Sequence, residues 1–193
     1  MRSLRLACIA WFCLAGPVWA ASPLEYTRTT LDQTRAIVSG DQAHDAKLAA
    51  LSALFRNFLD SDSMGRAALG RHWPSLTPPE QKEFLALFHA LLERTYVQKL
   101  LLFEKPDFVY LREEHINGGA RVDTKIITPG DDFAIVYQLR PDADRWLATT
   151  ITIEDVSLTA NLGSQLDHLL SSESVEDLLN LMRRKYGRSG VAD

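Results

Sequence analysis

The residues able to perform acid–base or metal chemistry are scattered along this 193-residue chain. Its histidines are isolated ones, at His44, His72, His89, His115 and His168. No two of them have the spacing of a metal site, and the His-Glu-x-x-His motif does not occur. The P-loop, Gly-x-Ser-x-Gly and Gly-x-Gly-x-x-Gly motifs are also missing from the sequence. An isolated histidine is usually solvated, so these residues do not predict a metal or catalytic centre.

Two carboxylate pairs are the remaining candidates for chemistry. Glu113-Glu114 and Glu154-Asp155 could form a general acid and base across a sheet. The same residues suit a solvated strand edge, which is favoured because no nucleophile or oxyanion hole adjoins them in the sequence. A periplasmic enzyme remains an alternative, and it would require a polar cavity containing Glu113, His115 or Asp155.

The first twenty residues have the pattern of a secretory signal peptide. Arg2 and Arg5 precede an apolar run over 6–16, and Val18-Trp19-Ala20 offers a cleavage site after Ala20. A membrane anchor is the alternative, but the run is shorter than the roughly 20 apolar residues that span a bilayer. We therefore expect a signal peptide over 1–20 and a single mature domain over 21–193, located in the periplasm if the source is a Gram-negative bacterium.

Removal of that segment changes what the mature chain can do. Cys8 and Cys13 both lie in it, so we expect no disulfide and no thiolate chemistry. The loss of Arg2 and Arg5 takes the formal net charge from −4 to −6. An acidic chain argues against non-specific nucleic-acid binding, which needs a basic face, so no nucleic-acid partner is expected. With 46% hydrophobic residues, the chain can still bury a core.

The elements that would position any site change from helices to strands and back to helices. Apolar residues at 3- and 4-residue spacing predict helices over 26–39, 43–59 and 64–69. Thr77 and Glu80 form a capping box that begins a long helix, which extends to about 103 because Pro106 prevents its continuation. Two further helices are predicted over 158–170 and 174–187.

Between the long helix and the two C-terminal helices, the apolar residues recur at every second position. Strands are predicted over 108–114, 120–128, 133–140 and 146–156, separated by Gly- and Pro-containing turns. The predicted fold class is α+β: a four-stranded, curved antiparallel meander with N-terminal helices, one long helix and two C-terminal helices. Such a sheet can enclose an apolar cavity against the long helix, although the residues alone favour a packed core.

An ordered set of short motifs is similar to a known family. They are Leu69-Gly70-Arg71-His72-Trp73, Thr77, Gln81 with Phe84, Thr95-Tyr96 with Leu100, Tyr137-Gln138-Leu139, Trp146, Val156-Ser157-Leu158, Asn161 and Ser164-Gln165. Over 26–186 the chain resembles the MlaC family, the periplasmic lipid-binding auxiliary proteins also called toluene-tolerance proteins. It departs from the family pattern at Ala148-Thr149-Thr150, Asp155 and Gly163, which suggests a divergent member.

The resemblance implies a soluble periplasmic carrier and not an enzyme, with no metal and no cofactor. Such a carrier would shuttle phospholipid between an outer-membrane lipoprotein complex and the substrate-capturing subunit of an inner-membrane ABC transporter, in support of outer-membrane lipid asymmetry. The alternatives are a carrier of hopanoid or another lipid, and a protein-binding adaptor without a ligand. The side chains expected to line a lipid cavity are Leu69, Trp73, Phe84, Phe88, Leu91, Leu92, Tyr96, Leu100, Tyr137, Trp146, Val156, Leu158 and Leu162.

Overall fold

The computed structural model describes residues 21–103 and 106–187, so the predicted signal peptide lies outside the described residues. The helices are α1 (Pro23–Ser39), α2 (His44–Phe58), α3 (Ser61–Leu69), α4 (Pro78–Leu92), α5 (Gln98–Leu100), α6 (Leu158–Leu170) and α7 (Val175–Tyr186). The strands are β1 (Asp107–Ile116), β2 (Gly119–Thr128), β3 (Asp131–Asp142), β4 (Arg145–Ile153) and β5 (Val156–Ser157). Within the described ranges, no helix combines the length and apolar character needed to cross a bilayer.

The helices begin where the sequence supplies caps. The Thr77 N–H donates to Glu80 Oε2 at 2.7 Å, which completes the capping box predicted for α4. Ser174 and Asp177 form the equivalent box at the start of α7. These caps satisfy N–H groups that have no partner within the helix, and they fix where each helix starts.

The predicted long helix contains a π-helical turn, Glu93–Val97, between α4 and α5. In this turn the Gln98 N–H donates to the Glu93 carbonyl, which takes up one extra residue. The extra residue rotates the side chains that follow relative to those of α4. The apolar face of α4 packs mainly on other helices, whereas Val97 and Leu100 pack with residues of α1 and α2 and also line the space described below.

The sheet is an antiparallel meander in the order β1-β2-β3-β4-β5, which confirms the predicted α+β architecture. The predicted fourth strand is divided, because Glu154 and Asp155 both have positive φ angles, 47° and 61°, and form a tight turn. This turn adds a two-residue fifth strand, in which Val156 pairs with Ile153. A register shift at Leu111 bends β1.

The apolar side chains form two main cores. One joins α3, α4, α6 and α7, and its fully buried members include Phe84, Phe88 and Leu178. The other lies between the sheet and helices α1 and α2, with Leu31 and Phe58 against Val122 and other sheet residues. The fold therefore has two parts, a core formed by helices alone and a core formed by helices packed on the sheet. The π-helical turn lies where the two parts meet.

Candidate functional site

A cavity of about 400 Å³ lies between the concave face of the sheet and the helices. Residues from nearly every element line it, and almost all of them are apolar. They are Leu31, Thr34, Phe55, Leu59, Met64, Leu92, Tyr96, Val97, Lys99, Leu100, Phe103, Phe108, Ile126, Phe133, Ile135, Tyr137, Ile151, Ile153 and Leu158.

The sheet contributes one wall of the cavity through the alternation of its side chains. Along β3, Phe133, Ile135 and Tyr137 are two residues apart and therefore point to the same face. Opposite them on β4, Ile151 pairs with Tyr137 and Ile153 pairs with Ile135. The register of the meander therefore assembles a continuous apolar surface across neighbouring strands.

The junction between α2 and α3 fixes a second wall. The Asp60 N–H donates to the Ala148 carbonyl at 2.9 Å, which ties this junction to β4 beside the cavity residues Leu59 and Met64. Burial alone would raise the pKa of the Asp60 carboxyl. Hydrogen bonds from Arg140 and Ser63 outweigh burial and hold this pKa below its usual value. Asp60 is thus an ionised anchor that holds the helices on the sheet.

Apart from Lys99, the polar groups that line the cavity are few and uncharged. Burial raises the pKa of the Tyr137 phenol, so its hydroxyl stays neutral. Burial also raises the pKa of Tyr96, with a smaller contribution from Tyr186. The Thr34 hydroxyl donates to the Thr30 carbonyl at 2.9 Å, so it does not need a hydrogen-bond acceptor on a ligand. The interior therefore suits hydrocarbon.

Lys99 is the exposed residue of the described lining and marks a place where the cavity reaches solvent. Lys99 and Leu100 on α5 lie close in sequence to Phe103, whose ring is 6.2 Å from that of Phe133 at the start of β3. Lys99 is exposed, and among the described lining residues it is the one that carries a charge. The opening therefore has an apolar rim with a single cation.

Five of the thirteen residues predicted to contact lipid line this cavity: Leu92, Tyr96, Leu100, Tyr137 and Leu158. The structure places another five in the helical core, namely Leu69, Phe84, Phe88, Leu91 and Leu162, with Trp73 packed against it. Phe84, Phe88 and Leu91 share one face of α4, which α3 and α7 cover, and Leu69 and Leu162 join this core from α3 and α6.

The last two predicted residues lie away from the cavity. Trp146 donates its indole N–H to the Ala21 carbonyl at 3.0 Å. Val156 is 52% exposed on the short fifth strand.

Sequence reasoning did not select most of the sheet wall, which includes Ile126, Ile135 and Ile151. The period-two pattern that predicted the strands could have identified these residues, because it also assigns every second side chain to one face.

Two of the groups considered for catalysis, Glu113 and His115, have structural partners. Glu113 accepts a hydrogen bond from the Leu24 N–H at 2.7 Å, at the start of α1, and lies 3.2 Å from His115 Nε2. Neither residue lines the cavity, and Asp155 does not line it either. In the part of the chain that the structure describes, no three His, Cys, Asp or Glu residues are grouped to hold a metal.

Comparisons with known proteins agree with this fold. A structure of a phospholipid-binding protein from Ralstonia solanacearum in complex with a phospholipid superposes with a TM-score of 0.76 at 20% sequence identity. The match covers 86% of this chain and 98% of the Ralstonia chain. No curated protein sequence matches the chain significantly. The family model described as MlaC protein matches residues 28–184, most of the described structure, and the chain therefore belongs to the MlaC family.

Proposed function

We propose that this protein is a soluble periplasmic lipid carrier that holds the acyl chains of a phospholipid in the cavity between sheet and helices. The observation that carries the proposal is a partly open cavity whose lining is almost entirely apolar. The phospholipid named for the similar Ralstonia structure supports this ligand class.

The physical need for such a carrier follows from the cost of exposing hydrocarbon. A diacyl lipid has about thirty methylenes, and each costs about 0.8 kcal/mol to expose to water, so full exposure costs on the order of 24 kcal/mol. A cavity that buries the tails removes most of this cost, whereas the headgroup can stay in water. No catalytic group is required for this task, and we propose no enzymatic activity.

The same cost determines how lipid enters and leaves. Escape into water is too unfavourable to occur at a useful rate, so loading and unloading require contact with a membrane protein that shields the tails. We propose that the two contacts are an outer-membrane lipoprotein complex and the substrate-capturing subunit of an inner-membrane ABC transporter. The opening near Lys99 and Phe103 is the surface that such partners must reach.

The first test is mass spectrometry of the organic extract of the purified protein, beside a cavity-free protein purified identically. Near-stoichiometric phospholipid is the expected result, and hopanoid in its place would correct the lipid class. A clean extract calls for a second measurement, uptake of lipid from phosphatidylglycerol vesicles. If the protein neither retains nor takes up lipid, the proposed function is refuted and a protein-binding adaptor becomes the better explanation.

The shuttle is tested separately, by following lipid from the loaded protein into acceptor vesicles. Transfer should be slow with bare vesicles and fast with vesicles that carry the transporter complex. Equal rates would contradict the requirement for a partner.

A further inference from the structure

Helix α1 covers one side of the cavity with a buried face that is rich in threonine. It supplies Leu31 and Thr34 to the cavity lining. Of its six buried residues, three are threonines, Thr27, Thr30 and Thr34, and the larger aliphatic side chains are those of Leu31 and Val38. The buried residues of α4, by contrast, are all leucine or phenylalanine. Threonine buries a single methyl group beside its hydroxyl, so α1 gains less than α4 from the removal of apolar surface from water.

The hydroxyl groups of these threonines find their partners within α1 itself. The Thr27 hydroxyl donates to the Pro23 carbonyl at 2.8 Å, and the Thr30 hydroxyl donates to the carbonyl four residues earlier at 3.0 Å. Thr34 makes the same type of bond, to the Thr30 carbonyl. All three bonds would move with α1 if this helix left the sheet, so none of these hydroxyls would lose its partner.

Polar contacts join α1 to the first strand, and they are at least partly open to solvent. The Tyr110 hydroxyl on β1 lies 3.2 Å from Asp32 Oδ1, in a half-buried contact. Arg35 Nη1 lies 2.8 Å from Asp107 Oδ1, and these two side chains are 45% and 63% exposed. Water can replace the partners in such contacts, so each of them contributes little to the docking of α1.

The last turn of α1 lies beside the place where the cavity reaches solvent. Val38 belongs to one apolar cluster with Val97, and Leu100 packs against that cluster. Val97 and Leu100 also line the cavity, on either side of Lys99 in the lining. The short segment 40–43 connects α1 to α2. Rotation of the backbone in this segment would move α1 away from α5 and the sheet, and would widen the opening.

We propose that α1 is a lid, which swings about residues 40–43 to let a lipid enter or leave and otherwise closes over the cavity. This inference rests on the proposed function and adds the element that moves. The lid is docked whether the cavity is filled or empty. The strength of its docking therefore sets the rates of lipid entry and exit, and it leaves the affinity unchanged because it favours neither the filled nor the empty state.

Two substitutions made together strengthen the docking of α1 without altering the cavity wall. Thr27→Val with Thr30→Val replaces two buried hydroxyls by methyl groups, and neither residue lines the cavity. Thr29→Val is the matched control, because the Thr29 hydroxyl also bonds the carbonyl four residues earlier, at 2.9 Å, but lies on the exposed side of α1. Tyr110→Phe makes the opposite change, since it removes one polar contact of α1 and keeps the ring.

The measurements are release of fluorescent phosphatidylglycerol from the loaded protein into acceptor vesicles, and its uptake from donor vesicles. The double valine variant should slow both processes about fifteenfold, as expected for two additional buried methyl groups, and should leave the Kd within twofold. Tyr110→Phe should speed both about fivefold through the loss of one hydrogen bond. Thr29→Val should behave as the unmodified protein does. Amide hydrogen exchange in α1 should slow in the double variant and speed up in Tyr110→Phe.

Three results would overturn the inference. Slower hydrogen exchange in α1 with unchanged lipid transfer would mean that lipid passes elsewhere. A change in Kd as large as the change in release rate would make α1 a fixed wall. Unchanged hydrogen exchange in both variants would mean that neither the threonines nor Tyr110 limits the docking of α1. If the unmodified protein takes up no lipid, it is the proposed function that fails, whereas lipid binding with unchanged rates in both variants refutes the lid alone.

Discussion

Substitution of Leu100 should test whether the lipid is bound inside the cavity. Leu100 lines the cavity from α5, whereas Leu102, two residues later, is 79% exposed and does not line it. Leu100→Trp therefore inserts bulk into the cavity, and Leu102→Trp places the same indole in solvent. The two variants share the added aromatic group and the same chain segment.

The magnitude follows from the volume that the larger side chain removes. Tryptophan exceeds leucine by about 60 Å³, the volume of about two methylenes. At about 0.8 kcal/mol for each methylene that can no longer be buried, lipid binding should weaken by about 1.6 kcal/mol. This corresponds to about a fifteenfold increase in Kd.

The assay is equilibrium partition of radiolabelled phosphatidylglycerol between vesicles and protein, with the melting temperature of each variant as the folding control. Leu100→Trp should raise the Kd, and Leu102→Trp should leave it unchanged. Equal Kd values for the two folded variants would refute the assignment of this cavity as the lipid site.

Three further expectations concern stability and headgroup charge. Asp60→Ala should lower the free energy of unfolding by about 2–3 kcal/mol in urea titrations, because it removes a helix cap and the Arg140 hydrogen bond. The folded-state pKa of Asp60 is depressed below 3.8, so its contribution to stability is present at neutral pH and is lost as the pH falls through that lower value. A variant whose stability has the same acid dependence as that of the parent protein would contradict this. Gly163→Ala places a Cβ 3.1 Å from the Ala68 carbonyl oxygen, and this close contact should cancel the roughly 1 kcal/mol that alanine gains over glycine within a helix; a full gain of that size in the same titration would mean that α3 and α6 move apart without cost. Lys99→Glu should reduce uptake of anionic relative to zwitterionic phospholipid about fivefold at low ionic strength, an effect of about 1 kcal/mol that high salt should remove.

The sequence predicted the elements better than it predicted the site. Helix boundaries were accessible because they depend on local signals, such as the Thr77–Glu80 capping box. The meander could be predicted because its turn residues and the period-two pattern of its strands are also local signals. The hairpin at Glu154 and Asp155 was missed, because neither residue is a glycine and both nevertheless adopt positive φ angles.

The cavity depends on packing between elements that are distant in the chain, and periodicity alone does not contain that information. Phe88 and Tyr96 both appear on the apolar face of one long predicted helix. Phe88 is fully buried in the helical core, whereas Tyr96, within the π-helical turn, packs against that core and also lines the cavity. One apolar stripe thus serves as core and as cavity wall, and Leu92, just before the π-helical turn, belongs to both.

The meander also has a consequence for the order of folding. Each strand pairs with its neighbours in the chain, so the sheet can grow from hairpins that close short loops. Helix α1 is different, because it contacts β1 across about ninety residues, through the Leu24 N–H and the Glu113 carboxylate, and it supplies Leu31 and Thr34 to the cavity. We therefore expect α1, the first of the described helices, to dock after the sheet that receives it. We expect amide hydrogens of α1 to exchange faster than those of β2 and β3 during refolding, and the cavity to be completed only in the last step.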